Sequence, residues 1–258
     1  MRLRPEFCIF EVSTRNFTAY FDHKTSLIGV RKQSTLPSTM QKILGYLTGL
    51  LSLQSTTGTS RTSTPSITDL DWKFMRASIS ALPSPCYRQA FGSVIVNATS
   101  KELLCTGFNK EDSSADPTEH GEVDAIRNCV KKFKDEGYSV DEIDAIWKSA
   151  WIYTTAEPCA MCGATILHAG FQRVIYATSS PGLYSMGWTK YLVSVRMQSL
   201  ADKARSQPGF GDGAPITIVI PDIAANETDG LFNWQFHRNA QCPLGCHRKH
   251  GECVEDHA

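Results

Sequence analysis

Apolar positions along the chain alternate between helical and strand periods from about residue 68 onward. Thr68 to Leu82 reads as a helix that Asp69 or Asp71 can cap, with Leu70, Phe74, Ile79 and Leu82 on one face and Pro83 and Pro85 ending it. Phe91 to Asn97 is short and β-branched. With Glu102 to Phe108 it makes a hairpin through Asn97-Ala98-Thr99-Ser100. After a polar loop, a helix is predicted over about 119–134, between Pro117 and Gly137, with Val123, Ile126, Val130 and Phe133 inward. The charged stretch 138–149 reads as a short surface helix. Ser149 to Thr155 is the next strand, and a helix from about Pro158 to Ala169 stops at Gly170. Arg173 to Thr178 reads as a central strand. Trp188, Tyr191, Leu192 and Val195 stand at i, i+3, i+4 and i+7, which predicts an amphipathic helix. Ile216 to Ile220 is a fifth strand, and Phe232, Trp234 and Phe236 sit in a closing segment. Strands alternating with helices imply an α/β fold, a three-layer α/β/α domain over 68–240 with a mixed five-stranded sheet.

Residues 1–67 follow no such pattern. They are rich in Ser and Thr, end near the linker-like run Ser55 to Ser60, and read as a poorly ordered extension. Within them, 40–57 has the anatomy of a secretory signal: a short cationic start, eleven largely apolar residues from Ile43 to Leu53, then small polar residues. Eleven residues are too few to span a bilayer. The expectation is a cytoplasmic protein without a membrane span, the alternative being secretion if translation starts at Met40.

Lys plus Arg and Asp plus Glu number 26 each, so no overall basic field recruits nucleic acid. Between residues 87 and 178, nine Lys or Arg stand against thirteen Asp or Glu. A polyanionic substrate calls for the opposite balance, so nucleic acid is disfavoured as a partner.

The chemistry concentrates in His120-Gly121-Glu122 and, beginning 36 residues after Glu122, Pro158-Cys159-Ala160-Met161-Cys162. One imidazole and two thiolates suit a single zinc ion with a fourth, open position for water. Cys159 and Cys162, three apart at a helix start, point to one face, and the amides there favour thiolates. The competing redox reading of the C-x-x-C pair leaves His120 without a task. A closed four-ligand site would need another thiol. Cys129, nine residues beyond His120, faces about 180° away on the same helix, whereas Cys86 and Cys105 stay open as candidates. Glu122, two residues from His120, does not share its direction and can lean over the bound water to move protons. The plain alternative is a solvated first-turn acid.

The H-x-E … P-C-x-x-C pair, with Gly107-Phe108-Asn109, Asp116-Pro117-Thr118 and Tyr153 to Cys159, resembles the cytidine/deoxycytidylate deaminase superfamily. Within it, the resemblance points to the branch holding guanine deaminases, fungal cytosine deaminases and tRNA adenosine deaminases, and it covers about 70–222. It implies a cytidine-deaminase-like fold, one catalytic zinc on His120, Cys159 and Cys162, and Glu122 as the catalytic proton shuttle. It further implies substrate contacts from Asn109, Ala156 and Glu157, a free base or nucleoside as substrate (guanine, cytosine or cytidine) and a homodimer. The alternatives are a tRNA or nucleic-acid adenosine deaminase and a non-catalytic partner subunit that keeps zinc for structure. Phe91, Trp188, Phe232, Trp234 and Phe236 are candidates for a stacking wall or for plain core, and His168 for packing or capping. The tail 241–258 lies outside the resemblance. Its Cys242, Cys246 and Cys253, with His247 and His250, allow a second metal site, a disulfide between two of the three, or an ordinary polar tail.

Overall fold

A computed structural model describes residues 10–14, 17–21, 27–32, 67–189, 195–206 and 216–256. The signal-like stretch 40–57, Cys8, Tyr191 and Leu192 lie outside the described residues. The chain divides into two units, Met1–Thr62 and Ser63–Ala258. The first holds β1 (Phe10–Thr14), β2 (Phe17–Phe21) and β3 (Leu27–Lys32), an antiparallel sheet in that order. The sequence pattern had assigned no strands there.

The second unit opens with α1 (Asp69–Ser80). Its cap is Thr68, not Asp69 or Asp71. Asp71 sits at the third helical position and its Oδ2 accepts from the Thr68 N–H and Oγ1, both at 2.8 Å. This reciprocal arrangement makes the acid a partner of the cap rather than the cap itself. The Tyr153 hydroxyl donates to Asp71 Oδ1 at 2.8 Å, so the buried carboxylate is well satisfied and locks α1 to the sheet.

Next come β4 (Gly92–Asn97), β5 (Leu103–Phe108), the single turn α2 (Glu111–Ser114), α3 (Gly121–Asp135) and α4 (Val140–Trp147). They are followed by β6 (Ala150–Ala156), α5 (Ala160–Ala169), β7 (Arg173–Thr178) and α6 (Ser180–Ser185). The order closes with α7 (Met197–Arg205), β8 (Ile218–Ile220), α8 (Ala225–Asn233) and the hairpin β9 (Cys246–Lys249) and β10 (Glu252–Glu255).

The sheet order is β5-β4-β6-β7-β8. β4 is antiparallel to β5 and β6, while β6, β7 and β8 are parallel. Because the inner strands are covered on both faces, they read as continuous apolar runs. Ile95, Ile152, Val174 and Tyr176 pack under α3, α4, α5 and α7. Their neighbours Val94, Val96, Trp151, Tyr153, Ile175 and Ala177 pack under α1 and the segment entering α8. This is the three-layer α/β/α architecture with a mixed five-stranded sheet.

The helix expected from Trp188, Tyr191, Leu192 and Val195 is not seen in its described residues: Trp188 and Val195 both lie outside α-helices. Gly187 takes the left-handed conformation (φ +100°), turning the chain so that Trp188 joins an aromatic cluster instead. Among the described residues no helix is long and apolar enough to cross a membrane.

Six cysteines are paired: Cys86–Cys246, Cys105–Cys129 and Cys242–Cys253. The tail therefore carries one internal disulfide, and its third thiol reaches back 160 residues to Cys86. With all three thiols bonded to sulfur, the tail has no thiolate left for a second metal site.

Backbone contact fixes how α3 sits on β5. A Cβ at Gly107 would lie 2.2 Å from the Ala125 nitrogen and 2.6 Å from the Gly121 oxygen. Gly107→Ala must therefore push the start of α3 off the sheet, costing about 2–3 kcal/mol. A urea midpoint equal to that of the parent would show that no such close approach exists.

Candidate metal centre

The strand register brings several ends to one edge of the sheet. Gly92, at the start of β4, pairs with Phe108 at the end of β5, and Ser93 pairs with Thr154 near the end of β6. Phe91, Asn109 and the chain leaving β6 consequently meet, and ligands in α/β sheets bind beyond such carboxyl ends of strands.

Two helices begin at this edge. His120 is the N-cap of α3 and Cys159 the N-cap of α5, both with extended backbone, and Cys162 lies on the first turn of α5. Gly121 permits the approach of α3, since a Cβ there would meet the Phe91 carbonyl oxygen at 2.3 Å. The sequence reading put Cys159 inside its helix. One position earlier, it faces the first-turn amides as a capping group does.

The three donors lie within 4.8 Å of one another. Cys159 Sγ is 3.5 Å and Cys162 Sγ 3.6 Å from His120 Nδ1. A tetrahedral zinc with bonds of 2.0–2.3 Å has ligand–ligand edges of about 3.3–3.8 Å, so the set fits the ion. His120 Nε2 points the other way, 3.9 Å from Glu111 Oε2, an acid placed to orient the ring. Cys86, Cys105 and Cys129 are committed to disulfides, so none serves as a fourth ligand. Among the described residues no other group of three or more potential donors gathers.

The electrostatics follow from burial at two helix starts. A hydrogen bond from Cys162 holds the Cys159 thiol down at about 4, aided by His120. The same bond, together with burial, raises Cys162. His120 is raised chiefly by its hydrogen bond with Cys159. Burial pushes the Glu122 carboxyl up to about 7, and the charge of Cys159 adds to the rise. Glu122 is 5% exposed and its carboxyl lies against Cys162.

A cavity of about 430 Å³ opens onto His120 and Cys159, and Gln89, Phe91, Asn109, Trp188, Gln235 and Phe236 contribute to its lining. Asn109 is 2% exposed, and its Oδ1 accepts from the Glu111 N–H at 3.0 Å. Its backbone is held from two sides, with N–H donating to the Phe91 oxygen and Tyr87 Oη donating to its carbonyl, both at 2.9 Å. Phe91, Trp188 and Phe236 form the aromatic wall, whereas Phe232 and Trp234 are core. His168 lies in the last turn of α5, away from the cavity lining.

Glu157 and Ala156 do not line the cavity. Glu157 is 1% exposed; its carboxylate accepts from Arg196 Nε and from the Met197 and Ser180 N–H groups. It fastens the starts of α6 and α7 to the end of β6. Ala156 is buried in the last position of β6.

Asp124 was missed by the sequence reading. It stands one turn after His120, is buried, and accepts from the Phe108 N–H at 3.1 Å and from Lys110 Nζ at 2.7 Å. It thus clamps both neighbours of Asn109. Its position four residues beyond His120 was a usable signal, since such residues share a helix face. Gln89 and Gln235 offered no signal at all. The Gln89 Oε1 is buried and unpartnered at the cavity wall.

Residues 69–178 match the family described as cytidine and deoxycytidylate deaminase zinc-binding region. A tRNA-specific adenosine deaminase of Haemophilus influenzae is 28% identical over 115 residues, 43% of this chain and 60% of that protein. A guanine deaminase of Bacillus subtilis is 39% identical over 87 residues, 34% of this chain and 49% of its own. A probable cytosine deaminase of Schizosaccharomyces pombe is 28% identical over 96 residues, 37% of this chain and 51% of its own. The chain thus spans 49–60% of the length of these curated relatives. The fold is shared with a crystal structure of a mutant protein in complex with 8-azaguanine, at a TM-score of 0.51 and 16% identity. That likeness covers 66% of this chain and 86% of the other.

Two outcomes follow. Metal analysis should find one zinc per chain, lost in His120→Ala, because two thiolates alone do not fill a tetrahedral site. Asp124→Ala strands Lys110 and the Phe108 N–H, which should cost about 2–3 kcal/mol while zinc content stays at the parental level. Parental unfolding midpoints would remove the clamp from the account.

Proposed function

We propose that the protein is a zinc-dependent hydrolase that deaminates a free nucleobase or nucleoside, a reading supported by the match of residues 69–178 to the cytidine and deoxycytidylate deaminase zinc-binding region. The observation that carries this reading is the buried Glu122 carboxyl beside the His120, Cys159 and Cys162 donor set, of which His120 and Cys159 line a small aromatic-walled cavity. When bound there, zinc supplies a Lewis acid that brings the pKa of a water molecule to about 7.

The chain's residues do the rest. Phe91, Trp188 and Phe236 take up the planar ring and exclude water, and Asn109 orients it at the cavity wall. Glu122 takes a proton from the attacking water and delivers it to the ring nitrogen beside the amine-bearing carbon. It then carries the second proton to the departing amine. One water is consumed, the carbon–nitrogen bond breaks, ammonia leaves and a carbonyl forms. The candidates are guanine, cytosine and cytidine-like compounds, and a homodimer is part of the same proposal.

The second reading, adenosine deamination in tRNA, draws on the named Haemophilus relative. It is disfavoured because Glu111 and Asp112 line the cavity with Arg88 as the single Lys or Arg among the described lining residues, a poor match to a polyphosphate backbone. Salt-dependent tRNA binding would reverse this order.

The three disulfides favour an oxidising compartment over the cytoplasm. Among the described cysteines, alkylation of the denatured, chelator-treated protein should label Cys159 and Cys162 and leave the six paired ones protected. Labelling of those six as well would return the protein to a reducing compartment.

Ammonia release should be measured with the zinc-loaded protein on free bases, nucleosides and nucleotides, alongside Glu122→Gln. Turnover of one compound, reduced by at least about a hundredfold in a mutant that keeps its zinc, is the expected result. Unchanged release in the mutant would remove Glu122 from the mechanism.

A further inference from the structure

The C-terminal segment from Phe232 to Glu255 lies beyond the family match, yet it is built into the cavity. Gln235 and Phe236 line it together with Gln89 and Phe91 from the other end of the domain. The two stretches meet through aromatic rings: Trp188 packs edge-on against Phe91 at 5.2 Å and against Phe236 at 5.1 Å. Phe91 also packs on Phe232 at 5.0 Å.

Ring contacts alone leave such a segment free to lift, because Phe236 is half exposed. Two further devices hold it. Arg248, on β9, donates to the carbonyl oxygens of Trp234, Ala240 and Gly251, so its guanidinium fork ties the hairpin to the strap that carries Gln235 and Phe236. The Cys86–Cys246 disulfide then joins the first residue of β9 to the segment that leads into β4. From Cys86 the path to the cavity is short. The Tyr87 hydroxyl holds the Asn109 carbonyl, and Gln89 and Phe91 are wall residues. An Arg88–Glu252 ion pair at 3.8 Å spans the same gap, but both side chains are exposed and it adds little.

We infer that Cys86 and Cys246 are positioning residues: their disulfide fastens the C-terminal hairpin to the 86–91 wall and so sets the two sides of the substrate cavity. The cavity's role as substrate site rests on the deaminase reading above; the fastening itself does not. A disulfide that served only to limit the unfolded chain would raise the unfolding midpoint without affecting the order of these two wall segments.

The test uses the zinc-loaded full chain and a Cys86→Ser/Cys246→Ser double variant. Cys105→Ser/Cys129→Ser serves as a comparison that loses a disulfide away from both walls. Amide hydrogen exchange, zinc content, KM and kcat are measured well below the unfolding midpoints. In the Cys86/Cys246 variant, exchange over 86–91 and 232–238 should quicken about tenfold or more, with α3 and α5 unchanged and zinc retained. KM for the substrate found above should rise about tenfold while kcat stays within about twofold, because the wall orders the bound ring without touching protons. The comparison variant should show neither change. Parental exchange in both wall segments overturns the proposal, as does equal loosening in the comparison variant. If the Cys86/Cys246 variant does not fold, Arg248→Ala takes its place. It should loosen 232–238 alone, and parental exchange there overturns the proposal too. If the parental protein turns over no compound in the panel, that counts against the enzymatic reading, and hydrogen exchange still decides the fastening.

Discussion

Two helices that must start at one point govern this structure. His120 and Cys159 are both N-cap residues, and their side chains come within 3.5 Å of each other. Helix starts carry unpaired amides and a partial positive charge, which favours thiolate at Cys159, while the hydrogen bond to Cys159 and burial raise Cys162. The same requirement explains the glycines where α3 meets the sheet. At Gly107 and Gly121 a side chain would strike backbone, and retreat of α3 would carry His120 away from the two sulfurs.

The acids around this point divide by their partners. Asp71, Asp124 and Glu157 are buried, but each accepts several hydrogen bonds and acts as a fastener, between α1 and β6, between α3 and the Asn109 loop, and between β6 and α7 respectively. Glu122 is the exception. Its surroundings are thiols, an imidazole and its own backbone N–H, so burial dominates and its carboxyl rises to about 7. Buried carboxyls that look alike in sequence are thus sorted by what donates to them.

Disulfides do a related job at larger range. One closes the terminal hairpin, one binds β5 to α3 within the core, and one ties the hairpin to the cavity wall. All three lie in the unit that carries the site. They account for every described cysteine outside the zinc set, so among the described residues thiol chemistry is confined to Cys159 and Cys162.

Local order in the chain was sufficient for much of this. Helical and strand periods over short windows located the five strands of the sheet and the two site helices. Spacing of one histidine and two cysteines identified the donor set, because ligands on a helix start need only a fixed short separation. Three things were not legible. Thr68 displaced Asp71 as cap because reciprocal bonding is decided by side-chain geometry. Trp188 left its helical pattern because a left-handed Gly187 and an aromatic cluster gathered from Phe91, Phe232 and Phe236 outweighed local propensity. Glu157 fastens the end of β6 to the start of α7 because Arg196, 39 residues away, reaches it. The last two depend on contacts between residues distant in sequence, and the Cys86–Cys246 bond across 160 residues is the extreme case. Periodicity reports which face of an element is apolar; only the packed structure determines which partner that face, or a lone acid or thiol, will meet.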